Sequence, residues 1–124
     1  MDGDLYRAFW LDSNPDYKGK IFTGHPGQMT RYGESKDGIE WTFPNLGLVE
    51  IGGSRDNNVI LANLPPLLEN FAPFLDTRPG VEASEKYKAL AGYPGAGDKR
   101  GLTERGRGLF AFVSADAIHW TKKD

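Results

Sequence analysis

Cysteine is absent from the 124 residues. Disulfides, thiolate metal sites and a cysteine nucleophile are therefore excluded, while the compartment stays open, because exported chains also do without cysteine. Histidine is scarce. His25 precedes Pro26 in a loop-like stretch and His119 sits beside a tryptophan; neither adjoins an acidic cluster, so the donor set for a transition metal is weak and no metal or cofactor is expected. No apolar run approaches the roughly 20 residues of a membrane span. A basic excess is also missing: the formal net charge is −2, which argues against a nucleic-acid partner. The one basic run, residues 99–107, is interleaved with glycine and reads as a solvated loop rather than an anion site. Gly24, Gly27 and Gly33 do not open a helix after a strand, as a phosphate-binding fingerprint requires. The acidic opening residues lack the regions of a signal peptide. The chain as it stands reads as cytoplasmic, with a secreted or periplasmic location left open if the native N-terminus is missing.

What is present favours β structure. Hydrophobic residues make up 39% and aromatics 12%, with 16 glycines and 8 prolines. A chain of this size suits one domain that buries roughly two-thirds of its extended surface, and the glycine and proline content implies many turns. Aromatic and apolar residues at 4–11 read as a strand, followed by a turn-rich stretch to residue 20. Residues 27–34 partly alternate and read as a second strand, SKDG as a turn, and 39–43 as a third, giving an antiparallel meander. Residues 59–62 suit another strand. The proline-punctuated stretch that follows is expected to cross the surface while burying Leu67, Leu68, Phe71 and Phe74.

The most informative pattern is a repetition. Residues 35–41, SKDGIEW, return as SADAIHW at 114–120. Tyr6-Arg7-Ala8 likewise returns as Tyr87-Lys88-Ala89, so Tyr87–Gly92 reads as a strand despite weak helical character before it. Repeated strand, long loop, strand, turn and strand suggest radially arranged sheets. The expected fold is all-β: antiparallel meander sheets forming about two blades of an incomplete β-propeller, one domain over 1–124 with blade-like repeats around 5–43 and 86–121. A small two-sheet sandwich is the rival architecture.

Within the repeat, Ser35 and Asp37 can accept backbone amides across their own turn, and Gly38 tolerates positive φ. Trp41 then lies where a strand begins and can bury a large ring. Ser114, Asp116 and Trp120 are the second copy, with Ala117 in the glycine position; a positive φ there would strain the alanine by about 1 kcal/mol. These six residues read as a structural turn. The chemically richest segment is 71–80, where Asp76 follows an apolar stretch and Arg78 stands close to it. An acid on an apolar rim can orient a sugar or stabilise a cationic transition state; the plainer alternative is a capped turn with Arg78 as its partner. Asp12, Asp56, Asn57 and Asn58 are further candidates for lining a polar groove.

Residues 32–60, together with FAPFLDTRPG, EKYKALAG and GLFAFVSADAIHW, resemble part of the five-bladed β-propeller glycosidase superfamily of invertase, levansucrase and arabinanase-like enzymes, nearest to its uncharacterised bacterial members. The Asp-box-like repeat is shared with sialidase-like propellers and does not choose a chemistry. The resemblance implies a carbohydrate partner, with Asp76 as the catalytic transition-state stabiliser; Asp12, Asp56, Asn57, Asn58 and Arg78 are expected as substrate-binding residues from residue type and position. Leu75 and Thr77 depart from the family's Arg-Asp-Pro, and its early Asn-Asp-Pro-Asn motif and Glu-Cys acid motif are missing; Glu85 and Glu104 qualify as acids only by residue type. Glycoside cleavage needs two carboxyl groups. The expectation is thus a fragment of a glycoside-hydrolase-like protein, inactive alone, with remaining blades missing or supplied by self-association. The alternatives are a noncatalytic carbohydrate-binding propeller module and a structural interaction unit, the last favoured if Asp76 is consumed by its own turn and Arg78.

Overall fold

The computed structural model describes residues 2–64, 67–93 and 108–124. The basic run at 99–107 and Glu104 lie outside these residues. Among the described residues, seven strands occur in the order β1 Tyr6–Ser13, β2 Gln28–Ser35, β3 Val59–Ala62, β4 Ala72–Leu75, β5 Tyr87–Tyr93, β6 Gly108–Ser114 and β7 Thr121–Lys122, with a 3-10 turn at Ala83–Glu85. They form a three-stranded sheet, β1-β2-β3, and a four-stranded sheet, β4-β5-β6-β7. All strand pairs are antiparallel.

The sequence explains these placements. β2 is the middle strand of its sheet, and all but two of its eight residues are buried. β4 contains Pro73, which has no amide to give a neighbour, and it sits at the sheet edge where that lack is tolerated. The expected third strand at 39–43 is reduced to one bridge, Thr42 opposite Glu34, because the turn's capping bonds hold residues 38–40 out of the ladder. β3 instead takes the place beside the other end of β2, opposite Met29 to Arg31.

The two sheets share one core. Tyr32, Ile60, Leu61 and Leu68 form its first part, Ala89, Ala91 and Phe112 its second, and Leu64, Phe71 and Trp120 pack against both. Phe71 is the hub: it meets Phe9, Phe112 and Trp120 edge-on at centroid distances of 6.0, 6.0 and 5.1 Å. Full burial of such a ring, reached here by Phe112, contributes about 1.5–3 kcal/mol of transfer free energy, and the half-buried Phe9, Phe71 and Trp120 contribute less. Phe74, expected inside, is instead 53% exposed, while Leu68 is buried as expected. Alternation along β4 turns Phe74 to the face opposite that of Pro73 and Leu75.

The propeller expectation is overturned, and with it the resemblance to the propeller glycosidases. The chain is all-β, but its two small sheets are open and uncurled meanders. Radial blades must surround a central channel. Here each sheet has one face against the other through the Phe9, Phe71 and Trp120 layer, which satisfies both inner faces without any such channel.

Candidate functional site

Asp76, the proposed catalytic residue, ends β4 and is held at a side-chain exposure of 4%. Its Oδ1 accepts the amide of Arg78 at 3.2 Å and Arg78 Nε at 2.9 Å. Its Oδ2 accepts Arg78 Nη2 and Lys88 Nζ, both at 2.6 Å. A carboxylate offers about four lone-pair sites, so this one is saturated. Hydrogen bonds from Arg78, then from Lys88, hold its pKa far below the usual carboxylate range. Such a group neither donates a proton at neutral pH nor has an acceptor site left for a sugar hydroxyl. Of the other acids considered, Glu85 is bonded to Lys123 Nζ at 2.8 Å, which lowers its pKa as well.

The remaining candidates belong to the other sheet. Arg31 joins two of them, donating from Nε to Asp12 Oδ2 at 2.6 Å and from Nη1 to Asn58 Oδ1 at 2.8 Å. The Arg31 bond is the main reason that the Asp12 pKa is lowered. Asn58 also donates to the Tyr32 carbonyl at 2.7 Å. This row ties three strands together with its polar atoms turned on one another. Asn57 clamps its loop by donating to the Val49 carbonyl and accepting the Val59 amide, and Asp56 lies exposed on that loop. Thus Asp76 meets Arg78, Asp12 meets Asn58 through Arg31, and the two groups stand on separate sheets.

One constellation that no local pattern predicts is Ser13 with His25. The ring is buried and stacked on Tyr17 at 5.0 Å, and its Nε2 lies 3.2 Å from Ser13 Oγ. The Gly27 amide donates to Nδ1 at 3.1 Å. A neutral ring therefore carries its proton on Nε2 and donates it to Ser13, so it cannot serve as base for that hydroxyl. The pair is a fastener for the 14–27 loop.

The two repeated turns are equivalent in detail. Ser35 Oγ accepts the amides of Asp37 and Gly38, and Asp37 Oδ1 accepts those of Ile39 and Glu40. Ser114 Oγ accepts Asp116 and Ala117, and Asp116 Oδ1 accepts Ile118 and His119. Gly38 has φ +76° and Ala117 φ +67°, so both copies use the same turn and the alanine carries the strain. Amide bonds led by that of Ile39 lower the Asp37 pKa. At Asp116 burial opposes the shift, but bonds from His119 and Ile118 outweigh it and the pKa falls. Trp120 fixes its indole to the Ala117 carbonyl at 2.9 Å and enters the shared core; Trp41 is half-buried.

Two surface features remain. A groove with about 460 Å³ of empty volume, open to solvent, lies where the sheets meet, with Asp2, Arg7, Phe9, Phe74 and Tyr87 among its walls. Arg7 donates to Asp2 at 3.3 Å and to the Tyr32 hydroxyl, Tyr87 donates to Asp2, and Tyr32 donates to Glu34 at 2.9 Å. Burial and the Glu34 bond raise the Tyr32 pKa to about 12. These groups bond to one another across the sheet junction, while the buried Arg7 Nε has no hydrogen-bond partner among the described residues. The second feature is the outer face of β4-β5-β6-β7. Register places Phe74, Leu90 and Leu109 on one side of the sheet, opposite the side of Ala89 and Phe112. They are 53%, 46% and 56% exposed. Among the described residues, Lys88 is the one charged residue that register puts on this face, and its ammonium is held by Asp76 and the Glu85 carbonyl.

The fold and these sites define a small two-sheet antiparallel β domain whose polar clusters are mostly self-satisfied. Its sequence matches no protein-family model, curated protein or solved structure. The expected glycoside-hydrolase identity is therefore corrected: neither the fold nor any likeness supports it. Among the described residues no group of three His, Asp or Glu side chains is placed to hold a metal ion, and no helix is long and apolar enough to cross a membrane.

Proposed function

We propose that this chain is a noncatalytic protein-interaction module that works by docking the outer face of its four-stranded sheet onto a protein partner. The observation that carries this reading is the exposure of Phe74, Leu90 and Leu109 together on one sheet face, where the charged side chain that register places among them, Lys88, is held by Asp76. Contiguous apolar surface of this kind marks interaction sites in soluble proteins, and a sheet face with one side packed is normally polar on the other. The saturation of Asp76 supports the noncatalytic half of the proposal, since that acid was the strongest catalytic candidate.

The test is whether this face is open in solution. At low protein concentration the native chain should enhance the fluorescence of an apolar dye such as anilinonaphthalene sulfonate. Leu90→Glu with Leu109→Glu should lower that signal, the Tyr6, Trp10 and Phe43 face keeping its own share, while the circular dichroism spectrum is retained. A native chain that leaves the dye dark would mean that the face is covered within the molecule, and the reading would fail.

A further inference from the structure

The β1-β2 and β5-β6 hairpins pair in the same register, and this bears on what the open face fits. Tyr6 pairs with Ser35 and Tyr87 with Ser114. The offsets are 87 − 6 = 81 along the first strand and 114 − 35 = 79 along the second. Thr42 opposite Glu34 likewise corresponds to Thr121 opposite Val113, again 79 residues on. Phe9 therefore corresponds to Leu90, Arg7 to Lys88, Tyr6 to Tyr87 and Trp41 to Trp120.

The intramolecular contact joins unlike faces of these like sheets. The first sheet uses the side bearing Arg7 and Phe9: Phe9 meets Trp120 at 6.3 Å, and Arg7 lies 5.5 Å over the Tyr87 ring. The second sheet uses the side bearing Tyr87, Ala89 and Phe112. In the shared register the open face with Leu90 corresponds to the first sheet's inner face. The second sheet's inner face corresponds to the first sheet's outer face, which bears Tyr6 and Trp10, 38% and 36% exposed, with Phe43 at 59% edge-on to Trp10 at 5.6 Å. The second sheet thus leaves open the counterpart of the first sheet's inner face, and the first sheet leaves open, at Tyr6, Trp10 and Phe43 but not at the buried Met29 and Val59, the counterpart of the second sheet's inner face.

Resting on the docking reading above, we infer that the partner is a second copy of this chain, joined head to tail: the Leu90 face of one copy packs on the Tyr6 and Trp10 face of the next. It continues between molecules the interface already formed within one. Leu90 takes the place against Trp41 of the next copy that Phe9 has against Trp120. Such a contact is heterologous, so a dimer leaves one face of each kind free and growth continues with concentration.

Sedimentation of the native chain and of two single variants, Leu90→Glu and Trp10→Glu, tests this. The native mass should rise with concentration, each variant should stay monomeric, and an equimolar mixture of the two should form a dimer of about twice the monomer mass, since one intact face of each kind remains. Should Trp10→Glu fail to fold, Tyr6→Glu serves in its place. If the Trp10 and Tyr6 variants associate like the native chain while Leu90→Glu does not, the open face pairs with itself; the head-to-tail inference is then wrong and the docking reading survives. A native chain monomeric at every concentration also overturns the inference, and the dye signal reports separately on whether the face is open.

Discussion

At the scale of single residues, Asp76 shows how a side chain suited to chemistry can be wholly engaged in structure. An acid after an apolar run, two residues before an arginine, was legible as a notable group, and its bond to Arg78 was one of two readings the sequence allowed. Lys88 was not legible as the second partner. It comes into reach because β4 and β5 pair with Phe74 opposite Lys88, a register set by long-range sheet formation. The Ser13 and His25 pair was hidden for the same reason, because the loop's closure brings together residues twelve apart. The native Asp76 carboxyl titrates below the unfolded one, whose pKa is about 3.9. Its contribution to stability is therefore fully present above the unfolded value and is lost as pH falls through the lower native one. Asp76→Asn should lower the denaturation midpoint at pH 7 and flatten the acid limb of the stability curve, measured by urea titration between neutral and acid pH. An unchanged limb would show that the Arg78 and Lys88 bonds do not persist in solution.

At the scale of elements, strands were easier to read than their partners. The aromatic-rich β1, the alternating β2, the short β3 and the repeated β5 and β6 all stand close to where local pattern placed them. The third strand after Ser35 failed because the capping bonds at Asp37 keep residues 38–40 from pairing. β4 was missed because Pro73 argued against a strand, although an edge position admits it. The repeated turn is the element most fully written in the sequence, and its two copies differ in a measurable way. Gly38→Ala imposes the left-handed penalty of about 1–2 kcal/mol, offset by about 0.4–1 from a stiffer unfolded chain. It should cost between about 0 and 1.6 kcal/mol. Ala117→Gly relieves the same strain but also discards a fully buried methyl group, worth about 0.8 kcal/mol. Its net effect should fall within about 0.5 kcal/mol of zero. Paired thermal unfolding of the two variants checks this; equal and opposite changes would show that the Ala117 methyl contributes nothing.

At the scale of the whole molecule, the repetition was visible in the sequence, but its consequence was misjudged. Repeated units imply stacked sheets and say little about their number, and the two found here settle one inner face of each against the other without a ring. The candidate site was less legible still. The acids and amides that stand out in the sequence bond among themselves, whereas the open features are apolar faces whose membership depends on register. That face and its counterpart on the first sheet make head-to-tail assembly the central claim, and the absence of native cysteine gives it a clean probe. Leu90→Cys in one copy and Tyr6→Cys in another, mixed and treated with a short bismaleimide, should give a crosslinked heterodimer well above the yield from either variant alone. Crosslinking of Leu90→Cys with itself at an equal or higher yield, or no crosslinking in the mixture, would contradict it.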